Sequence, residues 1–254
     1  MKKAIFFILI INSFNSFSQE SPVMTKKHLV EEIILTYNKM QVFENKFEES
    51  NSDEYEDSIT KENFYLVQLF SNKQFDVSDS SLLKRIREQT GIKIILSKDY
   101  SLVIVSWGAF NSYPIPLCSN LIFFKGKIKI ISLNGTGTEN DFGDNIQIDT
   151  VCTIHIKARP YYILIGSNKC GNLCIEERAS LYRISNGEII KSSNSFFDGK
   201  KYFNDIRFNY LINDLTKVEP VFLVQNTSLI SPLFNKDKTK VTGNKKYKIM
   251  ETVK

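Results

Sequence analysis

The sequence predicts an α+β protein: a short helical N-terminal segment followed by a mainly antiparallel β body arranged as a sandwich, a barrel or part of a propeller. Three observations carry that expectation. Before Gly91, apolar residues recur at three- and four-residue steps; after it, they alternate or run in short β-branched blocks. The dipeptide Asn186-Gly187, set between two apolar runs, fits a two-residue type I′ hairpin turn.

Taken in order, Met1, Lys2 and Lys3 make a short positive start, and residues 4–11 (AIFFILII) are uninterruptedly apolar. Ser16 and Ser18 then place small side chains where a signal peptidase reads, so residues 1–18 are expected to be a signal peptide cleaved between Ser18 and Gln19. Eight helical residues rise only about 12 Å against roughly 30 Å of hydrocarbon, so this run does not span a bilayer. No cysteine follows it to accept a lipid, and no later run is apolar enough for a membrane span. The mature chain is therefore expected to be secreted or periplasmic.

Residues 19–90 read as the helical segment. Thr25 caps a helix whose apolar stripe is Val30, Ile33, Ile34, Tyr37, Met40, Phe43 and Phe47. Residues 48–57 (EESNSDEYED) are acidic and without period, which predicts a linker. A short helix is expected from Thr60 to Phe70. A third starts at Ser78 or Asp79, turns Leu82, Leu83 and Ile86 inward, and ends at Gly91.

Residues 91–254 read as the β body. Ile92–Leu96 and Leu102–Trp107 are short strands about a turn at Lys98-Asp99-Tyr100. Residues 121–124 and 127–131 form a hairpin at Lys125-Gly126, and residues 151–157 and 161–165 flank a turn expected at Arg159-Pro160. Residues 206–211, 221–224 and 247–250 continue the strand pattern. A faint repeat runs through this body: Val103-Ile-Val-Ser and Ile163-Leu-Ile-Gly lie sixty residues apart, and the Lys125-Gly126 and Asn186-Gly187 turns sixty-one. Two strands, an excursion and a hairpin occur twice.

The signal peptide, the helical lead-in, Tyr161-Tyr-Ile-Leu-Ile-Gly166, a cysteine-bearing excursion and the strand ending in Ser185-Asn-Gly-Glu188 together resemble a loose group of uncharacterised bacterial envelope and secreted proteins. The resemblance covers Gly91 to the C-terminus and rests on texture. It implies a β-rich exported protein and carries over no catalytic residue.

All four cysteines lie in the mature chain, and an even number in an exported protein reads as disulfides. Cys170 and Cys174 are close enough to close on themselves through Gly171 and Asn172, which leaves Cys118 to pair with Cys152. Cleavage removes Lys2 and Lys3 and leaves a net charge of about +3, no signature of a polyanion binder. The lysine-rich end, 236–254, lacks the arginines and interleaved aromatics of a nucleic-acid groove.

No GxSxG, HExxH, Walker or GxGxxG pattern occurs. His28 falls off the apolar stripe of its helix, and His155 falls on the polar side of its strand. Residues 134–149 (NGTGTENDFGDNIQID) are the most suggestive stretch. Their glycines allow tight bends, and Glu139, Asp141, Asp144 and Asp149 offer the hard oxygens calcium prefers, although the spacing is not that of an EF-hand. Paired acids between 139 and 149 also suit a glycan hydrolase. Trp107, Tyr113 and Tyr161 are candidates for stacking on a sugar or anchoring a partner. The expected function is an exported binding protein without catalysis of its own, with no cofactor unless calcium, whose partner is a protein or glycan of the cell envelope. The alternatives are an envelope glycan hydrolase and an inhibitor or immunity-like partner of another secreted protein.

Overall fold

The computed structural model describes residues 24–110, 117–132, 146–169, 174–211, 216–224, 227–230 and 240–249. The expected signal peptide, Tyr113, Glu139, Asp141, Asp144 and Cys170 lie outside them.

Three helices open the described chain: α1 (Lys26–Ser50), α2 (Asp53–Phe70) and α3 (Ser80–Gln89). Thr25 caps α1, its hydroxyl accepting from the His28 N–H at 3.2 Å. The expected stripe is the buried face, with Leu29, Ile33 and Met40 almost wholly enclosed. Each such side chain contributes about 1.5–3 kcal/mol relative to exposure. The acidic linker does not form. Asn51 turns left-handed (φ 51°) to end α1, and α2 starts two residues later with Asp53, Glu54 and Glu56 in its first turn. Carboxylates there face the positive end of the helix dipole, so acidity favours a helix start. Asp79 caps α3, accepting from the N–H groups of Ser81 and Leu82. Gly91 does not cap this helix, which ends at Thr90 in extended backbone. Its missing side chain serves packing: a Cβ there would stand 2.3 Å from Tyr37 Oη.

The strands are β1 (Lys93–Leu96), β2 (Val103–Phe110), β3 (Leu117–Phe124), β4 (Lys127–Ser132), β5 (Gln147–Ile156), β6 (Arg159–Lys169), β7 (Cys174–Ser185), β8 (Glu188–Lys191), β9 (Phe196–Phe197), β10 (Tyr202–Phe203), β11 (Asp205–Leu211), β12 (Thr216–Val224), β13 (Thr227–Ile230) and β14 (Lys240–Ile249). They make three open sheets, ordered β1-β2-β3-β4, β11-β7-β6-β5 with β8 beside β7, and β10-β9-β14-β12-β13. No closed barrel is formed among the described residues, and the fold class is α+β with a β-rich body. All pairings are antiparallel except β12 with β14.

The hairpins at Lys125-Gly126 and Asn186-Gly187 have positive φ at both turn residues, as a type I′ turn requires. The β5–β6 turn is at Lys157-Ala158 (φ 49° and 63°), not at Arg159-Pro160. Pro160 pairs with His155 within the ladder, one residue before β6 begins to pair with β7, so its absent N–H costs no ladder bond.

Packing proceeds in layers. Val103, Val105, Trp107, Leu121 and Phe123 face the helices and share one core with them. Ile104, Ile122 and Phe124, on the opposite face, pack against Tyr162, Leu164 and Tyr182 of the second sheet. The far face of that sheet, through Ile163, Ile165 and Leu181, packs on Phe196, Tyr247 and Ile249 of the third. In line with the repeat, β1–β4 and β5–β8 each pair in chain order and close on a hairpin. Their hairpins meet, with Lys127 Nζ 3.7 Å from where a Gly187 Cβ would stand.

Two features pin β5 between these sheets. Gly166 lets the chain at Ile146–Gln147 lie on it; a Cβ there would stand 2.4 Å from the Gln147 carbonyl oxygen. In the buried seam Ser106 Oγ donates to Asn120 Oδ1, and Asn120 Nδ2 donates to the Ile146 carbonyl at 2.8 Å. The Ile148 N–H in turn donates to Ser106 Oγ and Asn120 Oδ1 at 3.0 and 3.1 Å. Asn120→Ala strands the Ile146 carbonyl and weakens the hold on Ile148, each unmet group costing about 1–3 kcal/mol. The expected result is a lower urea midpoint with an unchanged m-value. A wild-type midpoint would contradict the seam's role.

Candidate functional site

Helix α3 leans over β1, the edge strand of the first sheet, and leaves a groove of about 440 Å³ between them. That volume lies in the range of small-ligand and peptide-side-chain sites, roughly 300–1,000 Å³. Its floor is the buried trio Leu83, Ile94 and Val103, and Val77 and Leu96 continue the apolar wall. Lys84 and Arg87, one helical turn apart, line it with positive charge. Lys84 reaches Glu88 only at 3.7 Å in an exposed pair, which is worth little.

One end of the groove is set by the turn after β1. Tyr100 adopts φ 56°, donates its N–H to the Ser97 carbonyl at 2.9 Å, and leaves its ring 78% exposed against the groove. Asp99 organises this turn by accepting from Ser97 Oγ at 2.6 Å, from the Ser101 N–H at 3.2 Å, and from Tyr162 Oη at 2.9 Å in the second sheet. Partial burial pushes its carboxyl up, but the hydrogen bonds outweigh that and hold it below the ordinary aspartate value. Burial first, and the Asp99 bond second, push the Tyr162 phenol up to about 12.

A second polar cluster sits where β1 and β5 begin and β6 ends. Asp149 ion-pairs with Lys93 and accepts from Ser167 Oγ at 2.6 Å. Asn168 Nδ2 donates to Cys118 Sγ at 3.5 Å. Burial pushes the Cys118 thiol up to about 12; the nearby Lys93 charge pulls it down and Asp149 pushes it up. A thiol held neutral in this way is a poor nucleophile at neutral pH.

The residues expected from sequence fare differently. Trp107 is fully buried, its ring tilted against Phe70 and its Nε1 donating to Asn63 Oδ1 at 2.8 Å, so it is core and not a stacking platform. Tyr161 is likewise buried, between the second and third sheets. Both rings flank strand ends, but both strands are covered on their two faces, which leaves the rings no access to solvent. Asp149 is the one member of the acidic set among the described residues, and its two oxygens are engaged by Lys93 and Ser167. No group of three or more metal-ligating side chains occurs among the described residues.

The expected Cys118–Cys152 bond is not formed. Cys118 is a thiol on β3, while Cys152 is a thiol on β5 packed toward the third sheet. His28 and His155 are both exposed. No helix among the described residues is long and apolar enough to cross a membrane.

The groove residues were not singled out from sequence, although the signal was present. Lys84 and Arg87 stand on the same short helix as Leu83, and Tyr100 follows a four-residue strand too short to be central. No protein-family model, curated protein or solved structure matches the chain.

The thiols give a direct check on this geometry. At pH 8 a group with a pKa near 12 is ionised in about one molecule in ten thousand. In reduced native protein Cys118 should therefore resist iodoacetamide while the less buried Cys152 reacts first, and both should react in urea. Labelling of native Cys118 at the rate of a model thiol would contradict the burial described here.

Proposed function

We propose that this chain is an exported binding protein that takes its ligand in the groove between α3 and β1 and performs no chemistry on it. The observation that carries the reading is the groove itself: a continuous apolar floor, a cationic rim from Lys84 and Arg87, and an exposed aromatic ring at one end. That combination accommodates an apolar body and orients an anionic group. Export rests on the expected signal peptide, residues 1–18, and places the ligand in the envelope or outside the cell.

Glycan hydrolysis is the weaker reading. It needs two carboxyl groups placed across a sugar, and the Asp149 carboxylate is already committed to Lys93 and Ser167. The same commitment counts against Asp149 as a calcium ligand alongside Glu139, Asp141 and Asp144. An inhibitor-like role toward another secreted protein is one form of the binding reading.

Ser80→Trp tests the proposal, because Ser80 is exposed at the first position of α3 and its replacement fills the groove without touching the core. Affinity capture from the native cell envelope with the mature protein and with this variant, followed by mass spectrometry, is the measurement. A ligand or partner retained by the first and lost from the second is expected. Equal capture by both, at unchanged melting temperature, would remove the groove as the binding site.

A further inference from the structure

We infer that the groove's ligand is a polypeptide, an extended acidic and apolar segment that adds to β1 as a further antiparallel strand. This rests on the binding reading above and names its ligand class. Hydrogen-bond parity decides which backbone groups of β1 face outward. The Ser97 N–H donates to the Leu102 carbonyl at 3.0 Å, one step beyond the Leu96–Val103 pair, which places the bonded positions of the β1–β2 ladder in phase with Ser97. Such pairs alternate in an antiparallel ladder, so Lys93 and Ile95 also bond toward β2, while Ile94 and Leu96 aim their N–H and C=O groups the other way. Among the described residues no strand pairs with that outer edge.

The two residues that present backbone groups outward are the two whose side chains line the groove. At Leu96, which is 44% exposed, an incoming strand meets a donor, an acceptor and the apolar floor in one place, and it continues over Ile94, whose side chain is part of that floor. A lipid or aromatic acid uses the floor but leaves the outward N–H and C=O groups unmatched. Charge selects among strands. Lys84 and Arg87 border the groove, and Arg87 has no ion-pair partner among the described residues, so carboxylate side chains on the alternate positions are favoured. Exposed edges of this kind usually carry a blocking device. Lys98 is exposed just past the end of β1, and together with Lys84 and Arg87 it discourages pairing with a second copy of the same cationic edge and leaves an acidic strand free to enter.

The test uses an acetylated, amidated octapeptide of alternating valine and glutamate, titrated into the mature protein with fluorescence anisotropy and amide hydrogen exchange. Saturable binding with new protection at the Ile94 and Leu96 amides is expected, and N-methylation of the peptide's valine amides should abolish it. Arg87→Glu should weaken binding by about tenfold or more. Leu96→Pro should fold normally, because the lost N–H points away from β2, and should bind poorly. Three results would overturn the inference: no binding of the peptide, binding with no protection at Ile94 and Leu96, or equal binding of the N-methylated peptide. Protection of those two amides by self-association without peptide would assign the edge to a second copy and would also overturn it. Should the peptide fail while sodium dodecanoate binds the protein and not its Ser80→Trp variant, the groove remains a binding site and only the polypeptide assignment falls.

Discussion

The first sheet has two apolar faces, and everything around it follows from the need to cover both. Val103, Val105, Trp107 and Phe123 on one side and Ile104, Ile122 and Phe124 on the other leave no face for water. A single hairpin or a lone four-stranded sheet of this composition would aggregate or slip. The helices close one side through Leu29, Ile33, Met40, Leu66 and Phe70, and the second sheet closes the other through Tyr162, Leu164 and Tyr182. The second sheet is covered twice in its turn, which calls in the third. The polar ties are placed at the same layers: Trp107 to Asn63 joins the first sheet to α2, and the Ser106–Asn120 seam joins it to the start of β5.

The groove is a by-product of how that cover ends. Helix α3 is ten residues long and is held by Asp79 at its start and by Leu83 and Ile86 on one face. It covers Ile94 but leaves Leu96 44% exposed, so the end of β1 is roofed only partly while the floor beside it remains apolar. The turn at Ser97–Tyr100 is locked by Asp99 against Tyr162, which fixes one end of the groove to the second sheet. A binding edge supported in this way is presented by a rigid scaffold, a common arrangement for recognition surfaces.

Much of the fold was legible where one local rule decided it. The 3.6-residue stripe of α1, the Asp79 cap, and the Lys125-Gly126 and Asn186-Gly187 turns all follow from side chains within a few positions. Where two rules competed, composition misled. Residues 53–57 read as linker because they are acidic, yet a first helical turn welcomes acids. Pro160 drew the turn to itself, while the chain turned two residues earlier at Lys157-Ala158.

The burial of Trp107 and Tyr161 is hidden in the sequence for a different reason. Alternation marks a buried face only when the other is wet, and these strands have no wet face. The groove was illegible because its floor and rim come from α3, β1 and β2, segments whose meeting is a tertiary fact. The parallel pairing of β12 with β14 has no local signature either.

The shared cores make the helices, the first sheet and the second sheet one cooperative body and not a helical segment appended to a β domain. Native-state amide hydrogen exchange across a urea series tests it most directly, because it reports the free energy at which each element opens. The slow amides of α1, β2 and β6 should converge on a single opening free energy equal to that of global unfolding. Exchange of α1 and α2 at a clearly lower free energy, with β2 and β6 still protected, would contradict it.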